Sequence, residues 1–158
     1  MRARLLPASF LPALLLPALL LPWLAVTACG SAGEPVAEIA VAPAELELQL
    51  GAFVELSLRI IPLVDLEPGV VPQVFLHLID EPGSVLRTFD HALPAGFQSG
   101  REIAYRVRVH QSVVAEPLAP GLYTLTAGLH DGKGGRFRLR SARPEVARFE
   151  YPVASVRV

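Results

Sequence analysis

Hydrophobic and polar residues follow two different rules along this chain. Leu5 to Ala28 carries no charged residue, whereas from Glu45 onward apolar and polar positions alternate with a period of two. Leu46, Leu48 and Leu50 alternate with Glu45, Glu47 and Gln49. After Gly51, Val54, Leu56, Leu58 and Ile60 alternate with Glu55, Ser57 and Arg59. Such alternation predicts strands with one buried and one wet face. Ile61 to Pro72 holds three prolines and a glycine and reads as a loop. Val74 to Ile79 is apolar on both faces, which predicts a central strand covered on its second side. Glu81-Pro82-Gly83-Ser84 is a turn, and Val85 to Asp90 returns beside the strand, with either Leu86 or Phe89 pointing inward. Ile103, Tyr105, Val107 and Val109 alternate with Glu102, Ala104, Arg106, Arg108 and His110, and Tyr123, Leu125, Ala127 and Leu129 share one face of Leu122 to His130. Phe137 and Leu139 follow a turn at Asp131 to Gly135, and Val153, Val156 and Val158 mark a closing strand. No helical period occurs after Cys29. The pattern predicts an all-β fold, an antiparallel β-sandwich of about seven to nine strands.

The opening run needs a different account. Arg2 and Arg4 precede it, and its length exceeds the usual signal core of about 7–15 residues. At roughly 20 residues or more it is long enough to span a bilayer. Pro7, Pro12, Pro17 and Pro22 recur every fifth position, however, and each removes a backbone donor. The run closes on Val26-Thr27-Ala28-Cys29, which resembles the signal of bacterial lipoproteins: a branched apolar residue, two small residues, then cysteine. The resemblance implies a diacylglycerol thioether on Cys29, cleavage before it and acylation of the new amino group. Residues 1–28 are then a signal peptide, 29–43 the lipidated cysteine and a flexible tether running into an edge strand at Glu38–Val41, and 44–158 the folded domain. Gly30, where an inner-membrane retention signal has aspartate, points to the outer membrane by the same resemblance.

Cleavage leaves about 130 residues, the size of one domain. Losing Arg2 and Arg4 leaves 12 of the 14 basic residues beside all 15 acidic ones, which gives no electrostatic case for nucleic acid. Cys29 is the single cysteine, so with it acylated neither a disulfide nor a thiolate zinc site is expected.

A second resemblance covers Val74 to Val158. Val74-Phe75-Leu76-His77-Leu78-Ile79-Asp80, Gly83 and Asp90-His91, then Phe97-Gln98-Ser99-Gly100, then Pro120-Gly121-Leu122-Tyr123 and Gly128-Leu129-His130-Asp131, form a recurring series. It is similar to immunoglobulin-like accessory domains of bacterial membrane glycosyltransferases and cell-surface polysaccharide proteins. The resemblance implies an immunoglobulin-like sandwich in which Tyr123 forms a tyrosine corner, its hydroxyl bonding back to upstream backbone. Phe97 stands where that series often has tryptophan, and His130 where it has tyrosine.

Several residues are candidates for chemistry. His77 and Asp90 lie on neighbouring predicted strands, either as a histidine satisfied within the sheet or as half of a catalytic dyad without a nucleophile motif. His77, His91, His110 and His130 with Asp80, Asp90 and Asp131 show no metal-ligand spacing, so no metal or other cofactor is expected. Gly132-Lys133-Gly134-Gly135 looks like a phosphate cradle but lacks the strand-loop-helix context. Arg136, Arg138 and Arg140, with Arg106 and Arg108, form a basic stripe if their strands are neighbours. Otherwise they are a solvated face balanced by Glu55, Glu102 and Glu150. The expectation is a non-enzymatic, membrane-anchored accessory module binding envelope polysaccharide or an envelope complex. The alternative is a protein-recognising module that pairs through a sheet edge; a hydrolase comes third.

Overall fold

The computed structural model of the protein describes residues 33–111 and 116–158. The chain divides into Met1–Gly30 and Ser31–Val158, and every described residue belongs to the second unit. Val26, Thr27, Ala28 and Cys29 lie outside the described residues.

No helix occurs among the described residues, and the strand segments are β1 (Ala37–Ala42), β2 (Glu45–Glu47), β3 (Phe53–Pro62), β4 (Gln73–Ile79), β5 (Val85–Thr88), β6 (His91–Ala92), β7 (Ile103–His110), β8 (Leu122–His130), β9 (Arg136–Phe137), β10 (Leu139–Arg140) and β11 (Tyr151–Arg157). A four-stranded sheet runs β10-β1-β3-β7. A second runs β2-β11-β8-β4-β5, with β6 also on β4 and β9 on β8. The period-two reading accounts for the long members. Leu56, Leu58 and Ile60 of β3 are buried while Glu55, Ser57 and Arg59 are exposed. Leu76, Leu78, Leu125 and Leu129 meet them from the other sheet in one apolar core, and each is essentially inaccessible to water. Burying a leucine contributes about 1.5–3 kcal/mol. Phe89 packs on this core and its amide donates to the Leu76 carbonyl at 2.8 Å, which settles the choice between Leu86 and Phe89.

Three expectations are corrected. The sheets are mixed, because β1 pairs β10 and β2 pairs β11 in parallel. Both cases arise where the chain changes sheets without reversing: β1 passes through Pro43 and Ala44 into β2, and β9 passes through Arg138 into β10. The folded unit also starts before residue 44, since all six residues of β1 are in register with β3. Leu50 does not share the burial of Leu46 and Leu48. β2 ends at Glu47, the chain turns at Leu50-Gly51, and Leu50 is 60% exposed.

The Tyr123 hydroxyl donates to the Ala119 carbonyl at 2.7 Å and so ties the start of β8 to the loop before it. Tyr123→Phe is expected to lower stability by about 1 kcal/mol, read as a lower urea midpoint at unchanged m-value.

Candidate functional site

The outer face of the second sheet holds the richest polar cluster. On β4, Val74, Leu76 and Leu78 point into the core, which sends Phe75, His77 and Ile79 to the opposite side. Thr126 and Gly128 face the same way from β8, and the register sets Thr126 opposite His77 and Gly128 opposite Phe75. The segment from Ser141 leads to Phe149 and Glu150, which lie against this face. At its end Phe149 adopts φ 55, a left-handed turn that few non-glycine residues take, just before β11 begins. Glu150 follows and is buried, only 6% exposed.

Glu150 is the hub. Its Oε1 accepts the Thr126 hydroxyl at 2.6 Å and lies 3.1 Å from His77 Nδ1, while Oε2 accepts an Arg136 N–H at 3.0 Å. The same Arg136 nitrogen donates to the Arg148 carbonyl at 3.2 Å, and its guanidinium lies 4.4 Å over the Phe75 ring. On the other side of the imidazole, His77 Nε2 lies 3.4 Å from Asp90 Oδ1, an oxygen that also accepts the Leu76 amide. Burial would raise the Glu150 carboxyl, but donors from Thr126 and Arg136 together with the charge and hydrogen bond of His77 outweigh it and hold Glu150 below its ordinary range. Every side chain that carries chemistry here is held by another. Thr126 is fully buried and hydrogen-bonded, so it is no accessible nucleophile.

His77 and Asp90 therefore do meet, within a larger arrangement that the sequence did not reveal. In the sequence Glu150 reads as a surface counter-charge, because no strand period runs through residues 141–149. Its one signal is its place immediately before Tyr151, whose side chain enters the core.

The five arginines do not form a stripe. Arg136 is on β9 in the second sheet, Arg140 on β10 at one edge of the first, and Arg106 and Arg108 on β7 at the opposite edge. Arg106 and Arg108 share Glu55, at 3.5 and 3.1 Å, and Arg140 pairs with Glu38 at 2.6 Å. Arg138, at the crossing between sheets, donates to the Gly33 carbonyl at 3.4 Å. Period two gives the face of a strand, not the sheet that it joins.

The glycine-rich loop after β8 already holds an anion of its own. Asp131 Oδ1 accepts the amides of Lys133 and Gly135 at 2.8 and 2.9 Å, and these bonds, the Lys133 amide first, hold its carboxyl below the usual range. Phe97 is half-buried and packed against the core, not presented as a free stacking ring. Among the described residues no group of three or more His, Cys, Asp or Glu is placed to hold a metal ion.

A second feature lies along β7, where a groove of about 650 Å³ runs over Glu55, Arg106 and Arg108 to Phe89, Tyr105 and Val107. His91 Nδ1 sits 2.7 Å from the Phe89 carbonyl and Nε2 2.7 Å from the Tyr105 hydroxyl. A carbonyl only accepts, so in the neutral ring Nδ1 carries the proton and Nε2 accepts from Tyr105. Burial pushes the Tyr105 phenol above its ordinary range, which keeps it a donor.

No family model matches the chain, and no curated protein does. Among solved structures it is similar to the alkylpurine DNA glycosylase AlkC of Pseudomonas fluorescens, bound to DNA containing an abasic site analog, at 17% identity and TM-score 0.43, over 82% of this chain and 32% of that one. It is also similar to a beta-glucosidase from Listeria innocua in complex with gluconolactone, at 18% identity and TM-score 0.33, over 77% of this chain and 16% of that one. The chain thus spans about a third and about a sixth of the lengths of these two proteins.

Proposed function

We propose that this chain is a lipid-anchored, non-catalytic accessory module of a bacterial cell envelope, carrying an immunoglobulin-like β-sandwich. The observation that carries the reading is Cys29, at the end of an uncharged, proline-punctuated run and close before the first strand of the domain. The Tyr123 bond to Ala119 supports the immunoglobulin-like assignment. The mutual engagement of His77, Glu150, Thr126 and Arg136 supports a structural role for this cluster, because a general base needs a free lone pair in reach of substrate.

With β1 starting at Ala37, the link from Cys29 reaches at most about 29 Å when fully extended, which keeps the module close to the bilayer that holds its acyl chains. The outer membrane remains the proposed location, on the strength of Gly30. Of the two ligand classes, protein is the better supported. Separation of the five arginines removes the broad basic surface that an anionic polysaccharide would use, whereas the β7 edge offers backbone groups to another chain.

Cys29→Ser tests the anchor. Metabolic labelling with an alkyne fatty acid should mark the native chain and leave the variant unlabelled, uncleaved or mis-sorted. A processed, unlabelled variant that stays on the membrane would refute the proposal.

A further inference from the structure

We propose that the β7 edge, with the groove along it, is a docking site for an extended strand of a partner protein in which apolar and acidic residues alternate. This deepens the protein-binding reading but not the anchor, since peptide binding and acylation of Cys29 are read separately.

The edges of the two sheets differ sharply. β10 is two residues long, β2 three and β5 four. β5 is further closed by Arg87, whose guanidinium donates to the carbonyls of Leu86, Gln111 and Glu116. Edges this short, or blocked in this way, do not invite another chain. β7 is eight residues long, contains no proline and stays in unbroken register with β3 from Ile103 to His110. No strand pairs with its other side among the described residues. In an antiparallel ladder, alternate residues direct their N–H and C=O to each neighbour, so half of β7 presents backbone donors and acceptors outward.

The side chains specify the occupant. A strand added beside β7 would point alternate residues to the two faces of the sheet. Those on the inner face would meet Phe89, Tyr105 and Val107, apolar groups left half-buried because the opposing strands β5 and β6 are short. Those on the outer face would meet Arg106 and Arg108, whose side chains are 74% and 65% exposed and share the single carboxylate of Glu55. Two guanidiniums on one carboxylate leave local positive charge, which acidic residues complement. The same charge disfavours a second copy: antiparallel pairing of β7 with itself about Val107 would set Arg106 opposite Arg108, and like charges opposite one another destabilise a sheet.

The test uses the full chain in detergent micelles and an array of immobilised octapeptides in which Val, Ile, Leu or Tyr alternates with Asp or Glu. The alternating acidic octamers should be retained, and scrambled octamers of the same composition should bind about tenfold more weakly. Arg106→Glu with Arg108→Glu should transfer the preference to octamers carrying lysine in the acidic positions, a reversal that misfolding cannot produce. N-methylation of alternate amides should abolish binding when the methyls line the edge facing β7 and leave it unchanged on the other edge. Equal binding of scrambled octamers, or indifference to N-methylation on both edges, would overturn the proposal. So would retention of dextran sulfate with no octamer held, which would point to an anionic glycan.

Discussion

Glu150→Ala is expected to lower the unfolding free energy by about 3–5 kcal/mol, the cost of removing one partner from a buried charged pair. The loss falls on three groups at once. His77 Nδ1, the Thr126 hydroxyl and one Arg136 N–H would each face a cavity where a carboxylate oxygen had been. Domains of this size are stable by about 5–15 kcal/mol in total, so the variant should be marginal at 37 °C. Glu150→Gln separates charge from shape, because its amide oxygen still accepts from one donor while the ionic contact with Arg136 is lost. It should fall between the native chain and the alanine variant in urea unfolding. The pH dependence follows from the depressed carboxyl. In the unfolded chain Glu150 titrates near the ordinary value of about 4.3. Its ionised form therefore contributes fully to stability above that value, and the contribution is lost as pH falls through the lower folded-state value. The gap in urea midpoint between the native chain and Glu150→Gln should hold from pH 7 to about pH 5 and narrow below about pH 4. A gap constant down to pH 3 would contradict the assignment of Glu150 as the charged hub.

Gly128→Ala should be almost as damaging. A Cβ at this position would collide with Cζ of Phe75, come within 2.5 Å of its Cε1 and stand 2.7 Å from the Phe149 carbonyl oxygen. Over-packing a fixed interior costs about 1–3 kcal/mol, and here the value belongs at the upper end, because one obstacle is backbone held in a left-handed turn. Thermal unfolding should show the loss as a fall in midpoint of several degrees. Phe75→Leu in the same chain removes the ring and should recover part of it. The Phe149 carbonyl remains, so the recovery is incomplete. Full recovery would show that the Phe149 backbone can move away from the sheet, contrary to its role in delivering Glu150.

These two positions also show where the sequence was readable. β3, β4, β7 and β8 were legible because each is long enough for period two to repeat and each buries one face or both. Tyr123 was legible because its bond is local, four residues back. The crossings at Pro43 and Arg138 were not: a strand that changes sheets without turning leaves no glycine or proline pair to mark a reversal, so mixed pairing replaced the antiparallel expectation. The same crossing separated Arg136 from Arg140 and dispersed the basic stripe. Glu150 was invisible for a third reason. Its burial depends on contacts with residues 73 and 24 positions away, and its own neighbourhood, Arg148-Phe149-Glu150, reads as a polar loop. Gly128 could be noticed as a glycine inside a strand, but only the facing Phe75 ring explains it.

The position of β1 carries a mechanical consequence. It lies between β10 and β3, with six residues in register with β3, and just before it Val36 donates its amide to Arg138 at 2.9 Å and accepts the Leu63 amide at 2.8 Å. Rungs between antiparallel strands such as β1 and β3 run perpendicular to the strand axis. A force applied on the N-terminal side of Ala37, along β1, therefore loads these rungs together in shear and does not peel them open one at a time. Tension entering from that side meets the first sheet in its most resistant direction, so the domain should resist unfolding by a pull on its N-terminal end better than by a pull that peels the strands apart.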